Sequence, residues 1–302
     1  MTYAQGGLIQ ATDYNGFVQT GSPNFNAIWN GKYGQTALPT VSVGALVGHT
    51  EWNNLFQGIN NVALSQGTLI TPLPTVAAGD IITYESALVG DLAAITAGEN
   101  NSGGFGTDIT STGTRTTNWG TFISIPTVTS TITVTFASAQ NAQNFFNRGG
   151  VILLSTSRTG GVGTVVDTTW STLCTNVGSL GVPAYNTAQT LGGVSYLGLT
   201  QFSGGGSPPT DYVRSGYYQM TSTPALWFRQ FTNSSVYTSD RIELRYSTTG
   251  AVVTITMSFY DSTTSAFAVT GNLSVTGIVR PPSSTYISNN WGTPGITVSA
   301  PA

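Results

Sequence analysis

One cysteine, Cys174, and one histidine, His49, are the only thiol and the only imidazole of the chain. Nucleophilic catalysis by such a pair needs the two within hydrogen-bond reach and a third group to orient the ring. Cys174 instead shares a helical apolar face with Trp170, Leu173 and Val177, where a cysteine packs as a small hydrophobe. His49 stands one residue before Thr50, the expected cap of a helix, and reads as a loop or capping residue. A zinc site takes three or four His, Cys or carboxylate ligands, and one of each cannot supply the usual sets. No Asp-x-Asp-x-Asp-Gly calcium loop occurs. Gly160-Gly161-Val162-Gly163 follows a strand pattern, but it lacks both the Gly-Lys-Ser/Thr ending and the third glycine of the dinucleotide fingerprint. It reads as a turn. No catalytic residue, metal or cofactor is expected.

Glycan hydrolysis would need two carboxyl groups about 5 to 10 Å apart across a cleft. The 12 acidic residues are scattered singly; Asp211, Asp240, Glu243 and Asp261 are the candidates, with no pair singled out, and solvated strand ends or turns account for them more simply. A denser cluster is aromatic. Tyr212, Tyr217, Tyr218, Trp227, Phe228 and Phe231, interleaved with Arg214 and Arg229, follow a segment, Ser203 to Pro209, of flexible composition. Aromatic faces beside polar groups suit a protein interface or a glycan contact. The plainer reading is a sheet core with its aromatics turned inward.

The composition narrows the classes further. Charged residues are 7% of the 302, the net charge is -3, and the mean hydropathy is +0.07. Gly and hydroxyl residues replace the missing charge, with Ser and Thr at about a quarter of the chain. Nine basic residues, Lys32 the sole lysine, exclude nucleic-acid binding by phosphate neutralisation. No apolar run reaches the length of a membrane span, and no secretory signal is read at the start of the chain, so membrane insertion is not expected. A surface with so few charges tolerates close contact with neighbours.

Helix signals fill the first hundred residues. Tyr14, Phe17 and Val18 share one side of a short segment after Thr12-Asp13, and Trp52, Leu55, Phe56, Ile59, Val62 and Ala63 recur at helical spacing. Leu38-Pro39-Thr40-Val41 returns as Leu73-Pro74-Thr75-Val76, and each copy leads into a helical pattern, the second with Leu88, Leu92 and Ile95. Two copies are too few for a solenoid and imply a duplicated unit. Gly98 to Gly106 has loop composition. Beyond it, Thr131 to Phe136 alternates as a strand, Ser138 caps a helix ending at Gly149-Gly150, Asp167 opens another, and Arg241–Ser247 with Val252–Tyr260 makes a hairpin. Ser274–Val279 and Gly295–Ser299 are further strand candidates. The expected fold is mainly β: a helix-containing docking region over 1–97, a linker over 98–120, and a β-sandwich-like or jelly-roll-like body with a few short helices over 121–302.

Several segments, in order along the chain, resemble virion structural proteins of tailed bacteriophages, the T4-like cyanophage group among them. They are Ile9 to Val18, Gly31-Lys32-Tyr33-Gly34-Gln35, Thr50 to Leu55, Asn144 to Ile152, Thr169 to Leu173 and Val269 to Val275. The middle segment departs from the group in being more aliphatic over Val151 to Leu154. The resemblance implies a non-enzymatic component of the virion, made in the host cytoplasm, with other virion proteins and copies of itself as partners. Tail association as a fibre, baseplate or adaptor subunit is the leading placement, with capsid decoration or neck protein as the alternative. A receptor that binds or cleaves a host surface glycan, through the aromatic segment, is the reading from another class.

Overall fold

The computed structural model describes residues 10–80, 85–204 and 210–302. Four helices open the chain: α1 (Ala11–Asn15), running on as a π-helical turn over Gly16–Thr20, then α2 (Phe25–Trp29), α3 (His49–Gln66) and α4 (Glu85–Ala97). Their apolar faces meet in one core built from Tyr14, Phe17, Trp52, Leu55, Phe56, Ile59, Leu88, Leu92 and Ile95. Each such side chain contributes about 1.5–3 kcal/mol when fully buried. The helix over Trp52 starts one residue earlier than its expected cap. Glu51 reaches back to accept from the Gly48 amide at 2.9 Å, leaving Thr50 inside the first turn.

The duplicated sequence is a duplicated clamp. Asn15 exchanges both amide hydrogen bonds with the backbone of Val41, each 2.8 Å. Asn53 does the same with Val76, each 2.9 Å. In both copies an acid near the helix start caps the backbone, Asp13 on Gln10 and Glu51 on Gly48. The preceding aromatics, Tyr14 and Trp52, meet edge to face at 5.4 Å.

The remainder is two antiparallel sheets packed in a sandwich-like arrangement. In chain order the strands and helices are β1 (Ile109–Arg115), β2 (Thr127–Thr135), α5 (Ala139–Asn147), β3 (Val151–Thr159), α6 (Val165–Val177), β4 (Ser179–Val182), β5 (Ala188–Leu191), β6 (Val194–Leu197), β7 (Thr200–Ser203), β8 (Thr210–Tyr212), β9 (Ala225–Phe231), β10 (Arg241–Thr248), β11 (Val252–Tyr260), β12 (Asn272–Arg280) and β13 (Gly295–Val298). One sheet runs β1-β12-β3-β4-β7, the other β13-β2-β11-β10-β9-β8, with β5-β6 a separate hairpin. Between them lies one core, to which α5 gives Phe145 and Phe146 and α6 gives Trp170, Leu173 and Cys174. The alternation over β2 buries Ile132 and Val134, and the hairpin of β10 and β11 turns at Gly250 with φ +88.

Three expectations shift. Residues 98–120 are not a linker: they contain β1, paired along its length with β12, and Gly103 packs against the end of α3, its amide donating to Ser65 O at 2.8 Å. α6 begins before Asp167, at Val165, because the Thr164 hydroxyl caps the Asp167 amide at 3.2 Å. Nor is the β body separate from the helices, since Ile287 sits in the helical core.

Arg148, at the C-terminal end of α5, joins the two parts. It is 1% exposed. Nη1 donates to the carbonyls of Ile287 (3.1 Å) and Ser288 (3.4 Å), Nη2 to Ser65 Oγ (2.8 Å) and the Ser283 carbonyl (2.9 Å). The guanidinium also lies over the rings of Trp291 and Tyr33, 4.9 and 5.6 Å from their centroids. Burial lowers its pKa to about 10, so it stays charged at neutral pH.

The clamp predicts that Asn53→Ala lowers the thermal midpoint, by about 1–3 kcal/mol for the backbone groups of Val76 left without a partner. Asn15→Ala should cost a similar amount. Calorimetry of both variants against wild type checks this; a clamp mutation that leaves the midpoint unchanged would remove its structural role.

Candidate functional site

The outer strands β7 and β8 leave the sandwich open on one side. A cleft of about 330 Å³ opens there, lined by Leu180, Leu197, Leu199 and Gln201 from one side and Tyr212, Arg214 and Phe228 from the other. Tyr212 is half exposed, with the Arg214 guanidinium 6.0 Å from its ring centroid. Among the described residues lining the cleft there is no carboxylate, imidazole or thiol. An aromatic face beside a guanidinium, with apolar walls, holds a polar ligand by stacking and hydrogen bonds.

The aromatic segment divides among three environments. Tyr212 and Phe228 face the cleft. Trp227 is fully buried against Tyr246, ring centroids 5.3 Å apart. Adjacent Trp227 and Phe228 are both buried because the β9–β10 register slips between Leu244 and Arg245, so that Trp227 is the extra residue of a bulge. Tyr217 stacks on Phe146 at 4.4 Å, and its hydroxyl donates to the Gly250 carbonyl at 2.6 Å. Tyr218 stacks on Tyr185 and donates to Asn147 Oδ1 at 2.8 Å. Phe231 is half-buried beneath Arg229. Of the six, Trp227, Phe228 and Tyr217 belong to the core, so none of the three presents an open face to a glycan, and Phe228 only floors the cleft. Part of the preceding segment, 205–209, lies outside the described residues.

The remaining candidates fall elsewhere. Cys174 is buried in the sandwich core, where burial pushes its thiol up to about 12, and His49 is exposed at the start of α3. The two do not meet. Gly160-Gly161-Val162-Gly163 connects β3 to α6, the strand–loop–helix order of a phosphate loop. That helix start is already occupied by Asp167, ion-paired with buried Arg158 and accepting from Thr270 N and Oγ1, each at 2.8 Å. Burial raises the Asp167 carboxyl, but the Thr270 hydrogen bonds and Arg158 outweigh it and hold the group below its ordinary range.

Asp211 is exposed and pairs loosely with Arg229 at 3.5 Å. Glu243 is buried between Arg229 Nε (2.9 Å) and Arg241 Nε (2.7 Å). Burial raises its carboxyl too, yet the bonds and charges of Arg241 and Arg229 keep it below the usual carboxylate range. Asp240 and Asp261 come together, but both are fully buried and face no cleft. A glycosidase pair stands apart across a substrate, which Asp240 and Asp261, sealed in the core, do not. The clamp asparagines and Arg148 were not singled out by sequence reasoning; the parallel between Thr12-Asp13-Tyr14-Asn15 and Thr50-Glu51-Trp52-Asn53 is the signal that marks the former.

Comparison with known proteins returned nothing: no family model, no curated protein and no solved structure matches this chain.

If the cleft takes a sugar, Tyr212→Ala and Arg214→Ala abolish binding on a glycan array and leave the unfolding midpoint within about 0.5 kcal/mol of wild type. Trp227→Ala instead destabilises the fold, by about 3–5 kcal/mol for a buried aromatic removed from a packed core, and reports on stability alone.

Proposed function

We propose that this chain is a non-enzymatic structural subunit of a tailed-phage virion, docked through its N-terminal helical part and most simply placed in the tail, as a fibre, baseplate or adaptor subunit. The observation that carries the reading is where its exposed apolar side chains lie. Among the described residues the three most exposed large aliphatics, Leu46 (96%), Leu69 (95%) and Val43 (87%), all belong to the helical part. Val43 and Leu46 precede α3 and Leu69 follows it, so they mark its two ends, about 27 Å apart for an 18-residue helix. Few charges surround them on a 7%-charged chain. Side chains so displayed gain most from burial against a neighbouring subunit. The resemblance of Ile9 to Val18 and of Thr50 to Leu55 to phage virion proteins falls in this same part, and supplies the kind of particle.

A host-glycan receptor is the second reading, supported by the cleft at Tyr212, Arg214 and Phe228. The two are compatible in one subunit that docks by its helices and exposes its sandwich. Capsid decoration or neck placement would use the same docking side chains.

In light scattering at rising concentration, the wild-type chain should associate, and Leu46→Asp with Leu69→Asp should keep it monomeric with an unchanged midpoint. Mass spectrometry of purified particles should find the chain at a fixed stoichiometry. Absence from the particles would overturn the reading.

A further inference from the structure

Asp240 precedes β10 and Asp261 follows β11. The register Arg241↔Tyr260 makes them the next opposed pair at the open end of the hairpin. Like charges directly opposite in a sheet repel, and these two are fully buried. Each has one oxygen anchored. Asp240 Oδ1 accepts from the amides of Ser262 and Thr263, both at 2.9 Å. Asp261 Oδ2 accepts from Thr121 N at 2.6 Å and Thr121 Oγ1 at 3.1 Å. The other oxygens, Asp240 Oδ2 and Asp261 Oδ1, are sealed from solvent without a hydrogen bond, with the unpartnered hydroxyl of Thr263 beside Asp240. Two adjacent orphan acceptors are satisfied together by one proton.

We propose that Asp240 and Asp261 share a proton, forming an acid–carboxylate clasp that holds the 119–125 and 262–268 loops on the sandwich and opens when the proton is lost. On opening, the proton passes to solvent and two buried carboxylates are left facing each other. The clasp immobilises loops bearing exposed Phe122 (59%) and Phe267 (53%), so it governs how rigidly those side chains are presented. Burial, with the charge of Asp261, pushes the Asp240 carboxyl up to about 7.

The surrounding elements offer little to neutralise a second charge. Residues 116–126, the strand β2 and residues 262–271 carry no charged side chain. On β10, Arg241 is nearest, and it is committed: Nε to Glu243 (2.7 Å), Nη1 to Ser262 Oγ (3.1 Å), its plane 4.2 Å over the Tyr260 ring. Glu243 is held by Arg229 on β9 as well, and Tyr237 and Tyr260 are the neighbouring phenols. A carboxyl whose folded pKa is raised contributes stability that is complete in acid and lost as pH rises through that pKa. The stability is therefore complete below the unfolded pKa, about 4, and is lost progressively up to about pH 7.

The test is thermal unfolding of the full chain from about pH 4 to about pH 8, with hydrogen exchange over 119–125 and 262–268 corrected for the intrinsic rate. Wild type should lose midpoint as pH rises from about 4 to about 7 and level off above, and over that interval the two loops should open up to about tenfold more per pH unit. Asp240→Asn places a permanent N–H where the shared proton lies, so its profile should be flat. Asp261→Asn does the same from the other side and serves if the first variant fails to fold. A flat wild-type profile, or a slope that survives in both asparagine variants, overturns the clasp. So does recovery of the high-pH midpoint of wild type on adding calcium or magnesium chloride, which would make the pair a cation site instead.

Discussion

The arrangement of the whole chain turns on one buried cation. Arg148 lies where α5, the end of α3 and the returning segment 283–291 converge, and without it the carbonyls of Ile287 and Ser283 would lose this donor. A lysine cannot replace it, because the contacts need a planar fork that donates to four acceptors while its faces rest on Tyr33 and Trp291. Around it, Asn147 Nδ2 donates to the Lys32 carbonyl and Gln35 Nε2 to that of Ser288. Polar contacts, more than apolar area, therefore set how the helical part sits on the sandwich. Docked by its helices, such a chain orients its own cleft.

The same economy recurs wherever charge is buried. Glu243 gathers three arginines, Arg158 and Asp167 pair beneath the β11–β12 connection, and Arg280 meets Asp108 in a two-pronged contact at the edge of the sandwich. With 21 charged residues in all (9 basic and 12 acidic), many of the ions tie one segment to another. The surface is left largely to hydroxyls, glycines and isolated apolar side chains.

Much of this was legible in the sequence, and the failures have physical causes. The spacing of Trp52 to Ala63, the alternation at Ile132 and Val134, and the hairpin around Gly250 are local patterns, and local patterns survive folding. The Leu-Pro-Thr-Val echo was visible, but its meaning lay in Asn15 and Asn53, whose partners stand 26 and 23 residues away. Residues 98–120 read as a linker because β1, Ile109–Arg115, is rich in Thr, Ser and Gly, and its hydrogen bonds come from β12, far along the chain. Phe228 reached a cleft and Trp227 the core only because of a bulge, which no periodicity encodes. The pairing of Asp240 with Asp261 depends on hairpin register, and the role of Arg148 on three distant segments meeting.

If the helical part docks on a virion, as proposed, the sandwich is carried as one body with it. The most direct measurement is a cryo-electron reconstruction of intact particles in which this chain is located. The expected density accepts the whole chain without a break at residues 98–120, with Leu46 and Leu69 against neighbouring subunits and the Tyr212 cleft turned outward. Density that requires the helices and the sandwich to be separated, or that turns Leu46 and Leu69 to solvent, would contradict it.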